Sequence, residues 1–206
     1  MRDRVEVSSG LLLRPWCARD VDAVVDAFAE PAMQWQSGEP IGSMAAASRW
    51  LTEREERWAA GSAFAFAVAG AGGTVLGNVE VGSISRRHDT GWVSYWTTAA
   101  VRGRGVATHG CRALARWAFQ DLGLFRLELG HRVNNPASCR VARAAGFAVE
   151  GLQRQKLVYD DVRYDVELHA RLSCDPEPPN EDEPPVCVEQ VAPRRQAPRV
   201  RRCDAT

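Results

Sequence analysis

Between an aromatic, strand-like run, Trp92-Val93-Ser94-Tyr95-Trp96, and a helical period that starts near Ala107, the chain places Arg102-Gly103-Arg104-Gly105-Val106-Ala107. Two glycines give up packing and lose extra backbone entropy on folding, so the bend needs a positive φ or a bare backbone. A helix start exposes unpaired N–H groups and the positive end of the helix dipole, and it attracts anions. Glycine just ahead of it lets a phosphate approach with no Cβ in the way. Arg102, Gly103, Arg104, Gly105, Val106 and Ala107 therefore read as a pyrophosphate cradle. The plainer alternative is a strand-to-helix turn.

The surrounding periodicity frames that bend. Ala107, Cys111, Leu114, Trp117 and Ala118 share one helical face, with His109, Arg112, Arg116 and Gln120 turned away. Further helices are expected over 20–29, with Asp20 as N-cap, over 43–60, capped by Ser43 and stopped by Gly61, and over 136–145, ending at Gly146. Strands are expected over 11–15, 63–69, 74–81, 92–97, 124–129, 147–158 and 163–172. Alternating strands and helices imply an α/β (α+β) domain, a mixed central sheet of about six to seven strands flanked by about four helices.

After Leu172 the composition changes to a proline-rich stretch with an acidic block and then a basic one. Such a segment cannot bury enough apolar surface to offset its ordering entropy. The expected division is a folded domain over 1–172 and a disordered tail over 173–206. Formal net charge is zero for the whole chain, so no basic field draws it to nucleic acid or to an anionic membrane. With no charged start leading into an apolar run, no secretory leader is expected, and the chain reads as soluble and cytoplasmic. Cys17, Cys111, Cys139, Cys174, Cys187 and Cys203 are scattered, with no C-x-x-C pair and no histidine at ligand spacing, so free thiols and no metal site are expected.

Three nucleotide-type readings compete at the bend. A P-loop requires G-x-x-x-x-G-K-[ST], and the only lysine is Lys156, far downstream. A dinucleotide fingerprint requires G-x-G-x-x-G/A, of which Gly103, Gly105 and Thr108 supply two positions, with Glu128 near the place of a ribose-binding acid. Too little chain follows Glu128 for a complete dinucleotide fold. Thirdly, Arg102 to Ala107 resembles [QR]-x-x-G-x-[GA] of the Gcn5-related N-acetyltransferases (GNAT), the motif that wraps the pyrophosphate of acetyl-coenzyme A. Asn135-Pro136-Ala137-Ser138, Val141 and Gly146-Phe147 follow at the family's spacing. The opening LLRPW, the SYW strand, WAFQDLGLFRLEL and EGLQRQ are similar to the subgroup that acetylates the N-termini of ribosomal proteins.

That resemblance spans about residues 10–172 and implies a single GNAT-like domain using acetyl-coenzyme A as co-substrate. It further implies acetyl transfer to a primary amine, a protein N-terminus or a small molecule, by direct attack in a ternary complex, in a monomer or homodimer. The strand carrying Trp96 and Thr97 would splay from its neighbour and pair with the pantetheine arm, which Asn135 would also hold. Family members often protonate the leaving thiolate with a tyrosine seven residues after that asparagine. Ala142 stands there in this chain, which points to Ser138. The subgroup's usual glutamate before the Tyr-Trp pair is replaced by Trp92, leaving Glu80 as candidate base through a water. Trp35, Trp50 and Trp58 lie where the resembled fold forms one wall of its acceptor groove. An acyl-coenzyme A sensor without catalysis is the alternative, motivated by Trp92 and Ala142.

Overall fold

The computed structural model describes residues 4–7 and 10–179 and winds them around one eight-stranded sheet. In chain order the strands are β1 (Val5–Glu6), β2 (Leu12–Pro15), β3 (Phe64–Ala69), β4 (Val75–Ser85), β5 (Thr90–Thr97), β6 (Arg126–Arg132), β7 (Ala148–Tyr159) and β8 (Val162–Leu172). Four helices accompany them: α1 (Val21–Phe28), α2 (Met44–Ala59), α3 (Val106–Gln120) and α4 (Pro136–Ala144). The order across the sheet is β1-β2-β3-β4-β5-β6-β8-β7. Only β5 and β6 run parallel, and α3 is the crossover that a parallel pair requires. The expected six to seven strands become eight because two-residue β1 pairs with β2, Val5 opposite Leu13, too short to leave a sequence period.

Alternation along β3 divides the two cores. Phe64, Phe66 and Val68 pack on one face with Val79, Val81, Leu127, Leu129 and the buried side of α3. Ala65 and Ala67 face the other way, into a cluster built by Trp16, Phe28, Trp50 and Trp96 under α1 and α2. Trp117 joins the first core, its ring 4.9 Å from Phe66. A Cβ at Gly110 would stand 2.9 Å from Val79 Cγ1, so α3 lies against β4 as closely as glycine permits. Ser43 caps α2 as expected, its Oγ accepting from Ala46 N at 3.2 Å.

Three boundaries differ from the sequence reading. The strand expected over 124–129 is β6, which starts at Arg126: Leu124 plugs the first core from the preceding turn, its N–H on the Ala118 carbonyl at 3.1 Å. The strands around residue 85 reach further than their apolar runs, through Ser85 and back from Thr90. Asp20 does not cap α1 with its side chain; it accepts from Cys17 N at 3.0 Å in the turn before that helix and is buried against Arg14, Oδ2 and Oδ1 each accepting at 2.7 Å. Past Leu172 the chain turns back, and Glu177 Oε2 accepts from Arg171 Nη2 at 3.0 Å. Within the stretch expected as a tail, residues 180–206 lie outside the described residues. No helix among the described residues is long and apolar enough to cross a membrane.

Candidate active site

The parallel pair is short. Thr90, Gly91 and Trp92 pair with Arg126, Leu127 and Glu128, and beyond them β5 and β6 diverge. Strand β5 continues to Thr97 against β4, and β6 continues to Arg132 against β8. Thr98 N donates to Leu76 O at 2.9 Å. Alternation of the antiparallel ladder then turns the backbone groups of Ser94 and Trp96 toward β4, and those of Val93, Tyr95 and Thr97 toward the gap. Backbone polar groups in a cleft need partners, so this edge is built to receive an extended chain rich in amides or to hold water. Thr97 turns its backbone groups to the gap. Trp96 does not: its backbone belongs to the β4 ladder and its indole to the α1–α2 cluster, 5.9 Å from Trp16.

At the mouth of the gap the chain makes a single 3-10 turn over Ala99–Val101 and enters the bend. Gly103 and Gly105 both have φ of +75°, in the left-handed region that favours glycine. Gly105 occupies the N-cap of α3 and offers no side chain to the helix start. The amides of Val106, Ala107 and Thr108 accordingly have no intrahelical acceptor. Gly103, Arg102 and Arg104 are exposed, and the Arg102 guanidinium makes a two-pronged pair with Glu30, Nη2 to Oε2 at 2.7 Å. The residues expected to form the cradle are thus contiguous at one helix start, with Arg102 to Arg104 exposed, Val106 buried, and one arginine tied to the loop after α1.

The opposite wall is the start of α4. Asn135 Oδ1 caps the helix by accepting from Ser138 N at 3.1 Å, and Asn135 Nδ2 donates to Ser138 Oγ at 3.0 Å. Ser138 keeps its own hydroxyl proton for donation. Tyr95, from the β5 edge, reaches across and donates its hydroxyl to Ser138 O at 3.2 Å. Burial holds the Tyr95 phenol well above its usual range, reinforced by the neighbouring Cys111, so the phenol keeps its proton and acts as a fixed donor. From the sequence alone Tyr95 carries no role of its own. Strand alternation, which puts it on the opposite face from Trp96, was the available signal. Ala142, where a tyrosine was sought, is completely buried.

Glu80 projects to the α2 side of the sheet, away from the cradle. It is 8% exposed, with Oε1 3.1 Å from Arg57 Nη1 and Oε2 4.0 Å from Arg54 Nη2. Burial pushes the Arg54 guanidinium down to about 10 against the opposing pull of Glu80. The same guanidinium stacks on Trp50, 3.4 Å from the ring centroid. Trp50 is buried in the second core with Trp16 and Phe28, and half-buried Trp58 packs against the first, 4.9 Å from Phe66. Glu128 is taken up by Arg126 Nε at 2.7 Å within the paired part of β6. Beyond β6 a cleft of about 490 Å³ opens between Val133 and Asn134 and the β7–β8 hairpin residues Gln155, Tyr164 and Asp165.

A mixed sheet split between parallel neighbours, with a glycine-capped helix at the mouth of the split, defines an N-acetyltransferase fold. RimL, the ribosomal L7/L12 alpha-N-protein acetyltransferase in complex with coenzyme A, superposes with TM-score 0.75 at 21% identity, over 82% of this chain and 97% of that one. Mycobacterium smegmatis RimJ in complex with CoA-disulfide gives TM-score 0.73 at 22% identity, over 82% and 86%. Residues 10–148 match the family described as acetyltransferase (GNAT) domain. The chain belongs to that family and is an acetyl-coenzyme A-dependent acyltransferase. It is 31% identical to the probable N-acetyltransferase YjcK of Bacillus subtilis (strain 168) over 129 residues, 62% of this chain and 71% of that protein. Against the ribosomal-protein-serine acetyltransferase of Escherichia coli (strain K12) it is also 31% identical, over 98 residues, 48% of this chain and 55% of that protein.

Proposed function

We propose that this chain transfers the acetyl group of acetyl-coenzyme A to a primary α-amine, by direct attack of the amine on the bound thioester. The observation that carries the reading is the split itself: a strand edge with unpaired backbone groups, ending in a bare helix start. In this reading Gly103, Gly105, Val106 and Ala107 hold the pyrophosphate through their amides, with Arg102 and Arg104 adding charge. Val93, Tyr95 and Thr97 pair with the pantetheine amides and Asn135 holds the arm from α4. Trp96 acts only by packing behind that edge.

Ser138 protonates the departing thiolate, its hydroxyl oriented by the bond from Asn135. The amine attacks from the α1–α2 side of the sheet, where Glu80 takes its proton through a water, because both carboxylate oxygens already face arginines. An α-amine titrates near 8 and a lysine amine near 10.4, so a weakly assisted site suits the first. The acceptor's following residues enter past the cleft between Asn134 and Asp165. No acyl-enzyme is required, since Cys111 is fully buried with its thiol pushed far up by burial, and the Cys139 thiol donates to Glu167 at 3.4 Å.

Thiol release from acetyl-coenzyme A tests the reading, with short peptides bearing a free α-amine compared with Nα-blocked lysine peptides. Release is expected to depend on the α-amine. Ser138→Ala should lower kcat by about 100-fold and leave KM for acetyl-coenzyme A unchanged. Binding of coenzyme A with no release on any amine would establish the non-catalytic sensor instead.

A further inference from the structure

Four residues from three elements meet at α4: His131 on β6, Cys139 on α4, and Glu167 and His169 on β8. The antiparallel register brings the strands' contribution together, with His131 opposite Glu167 and His169 opposite Leu129. Each offers one ligand atom, and these atoms lie within 4.8 Å of one another. His131 is 7% exposed and His169 is completely buried. Nε2 of His131 lies 3.0 Å from Nε2 of His169, and Glu167 Oε1 lies 2.9 Å from the latter and 3.4 Å from the former. Cys139 Sγ stands 3.4 Å from the same oxygen.

His131 Nδ1 is 3.0 Å from the Arg132 carbonyl, and His169 Nδ1 is 3.3 Å from the Phe147 carbonyl. A carbonyl oxygen accepts only from a donor, so with one proton on each ring both protons sit on Nδ1. Both Nε2 lone pairs then point at each other and at a carboxylate oxygen, while the thiol proton serves Glu167. Backbone carbonyls that fix Nδ1–H and aim Nε2 inward are the arrangement by which proteins orient metal-ligating histidines. Ligand atoms on a tetrahedron with bonds of about 2.0–2.3 Å are roughly 3.3–3.8 Å apart, a spacing these atoms reach with small side-chain shifts.

We propose that His131, Cys139, Glu167 and His169 bind one divalent transition-metal ion of the zinc type through two imidazole nitrogens, a thiolate and a carboxylate. Binding releases one proton, from the Cys139 thiol, to solvent. Four protein ligands close the coordination sphere, so the ion's role is structural. It pins the start of α4, and with it Asn135 and Ser138, to the β6–β8 wall of the split. Sequence spacing could not show this, since no two of the ligands form a short local motif except Glu167 and His169.

Titration of the metal-stripped, reduced chain with Zn²⁺ and Co²⁺ tests the site. One tightly held equivalent per chain is expected, with a thiolate-to-cobalt band in the near ultraviolet and a thermal midpoint that rises with metal. Cys139→Ser should abolish that band, and Glu167→Gln should weaken binding by more than the roughly 10–100-fold typical of an outer-shell change. Both side chains are partly exposed, and circular dichroism checks that each variant is folded. Absence of a bound equivalent in the wild-type chain would show that a proton shared between the imidazoles fills the centre, and would overturn the proposal. Full affinity and an unchanged band in both variants would place the metal elsewhere and overturn it equally.

Discussion

Gly105→Leu will weaken coenzyme A binding by at least about 100-fold, near 2.7 kcal/mol, in a chain that still folds. Two effects combine at this position. Leucine in the left-handed region costs roughly 1–2 kcal/mol, and the branched side chain stands over the α3 amides proposed to hold the pyrophosphate. Backbone strain alone is separable from loss of the cradle. Gly123 has φ of +67° in the turn before β6, with nothing within 4 Å of an added Cβ, so Gly123→Leu carries the same strain away from the bend. Calorimetric titration with coenzyme A should find Gly123→Leu close to the wild type. Unchanged affinity in Gly105→Leu, or equal losses in both, would remove the phosphate cradle from this bend.

Elements written in local signals were legible in the sequence. The glycine bend, the α3 face around Leu114 and Trp117, the Ser43 cap and the Gly61 and Gly146 stops each follow from neighbours within a few residues. Leu124 shows the limit: an apolar residue before β6 reads as strand, yet it is buried from a turn because Phe125 and Arg126 both donate to the Asp89 carbonyl. The site divides the same way. The bend proposed as the cradle is contiguous, so its two left-handed glycines ahead of a helix start follow from neighbouring residues, and the Asn135–Ser138 pairing follows from N-cap spacing. Tyr95 reaching Ser138 across 43 residues, Glu80 meeting two α2 arginines, and His131 meeting His169 depend on strand register and helix placement. A one-residue slip in register would send every one of those side chains to the opposite face.

Asp20 carries the second large expectation. Arg14 and Asp20 are each about 5% exposed and joined by two bonds of 2.7 Å, and Cys17 N adds a third to the carboxylate at 3.0 Å. Removing one partner leaves a buried charge uncompensated, which costs about 3–5 kcal/mol. Asp20→Ala should therefore lower the thermal midpoint by on the order of 10 °C. Burial by itself pushes the Asp20 carboxyl up, but the bonds from Arg14 and Cys17 outweigh it and hold the group below its usual range. A carboxylate depressed in the folded state contributes stability above its unfolded value, near 3.9, and loses it as pH falls through the lower folded one. The difference in stability between wild type and Asp20→Ala should accordingly be constant from neutral pH to about 5 and shrink in acid. Replacing both partners by apolar residues, Arg14→Met with Asp20→Leu, should recover most of the loss, since exchanging a buried pair for packing is close to neutral. Because the pair fixes the β2–α1 junction beside Trp16, the single variant should also loosen the Trp16–Trp50–Trp96 cluster that backs the proposed acceptor side. A thermal midpoint for Asp20→Ala within about 2 °C of the wild type would mean that solvent reaches the junction and that the pair contributes little.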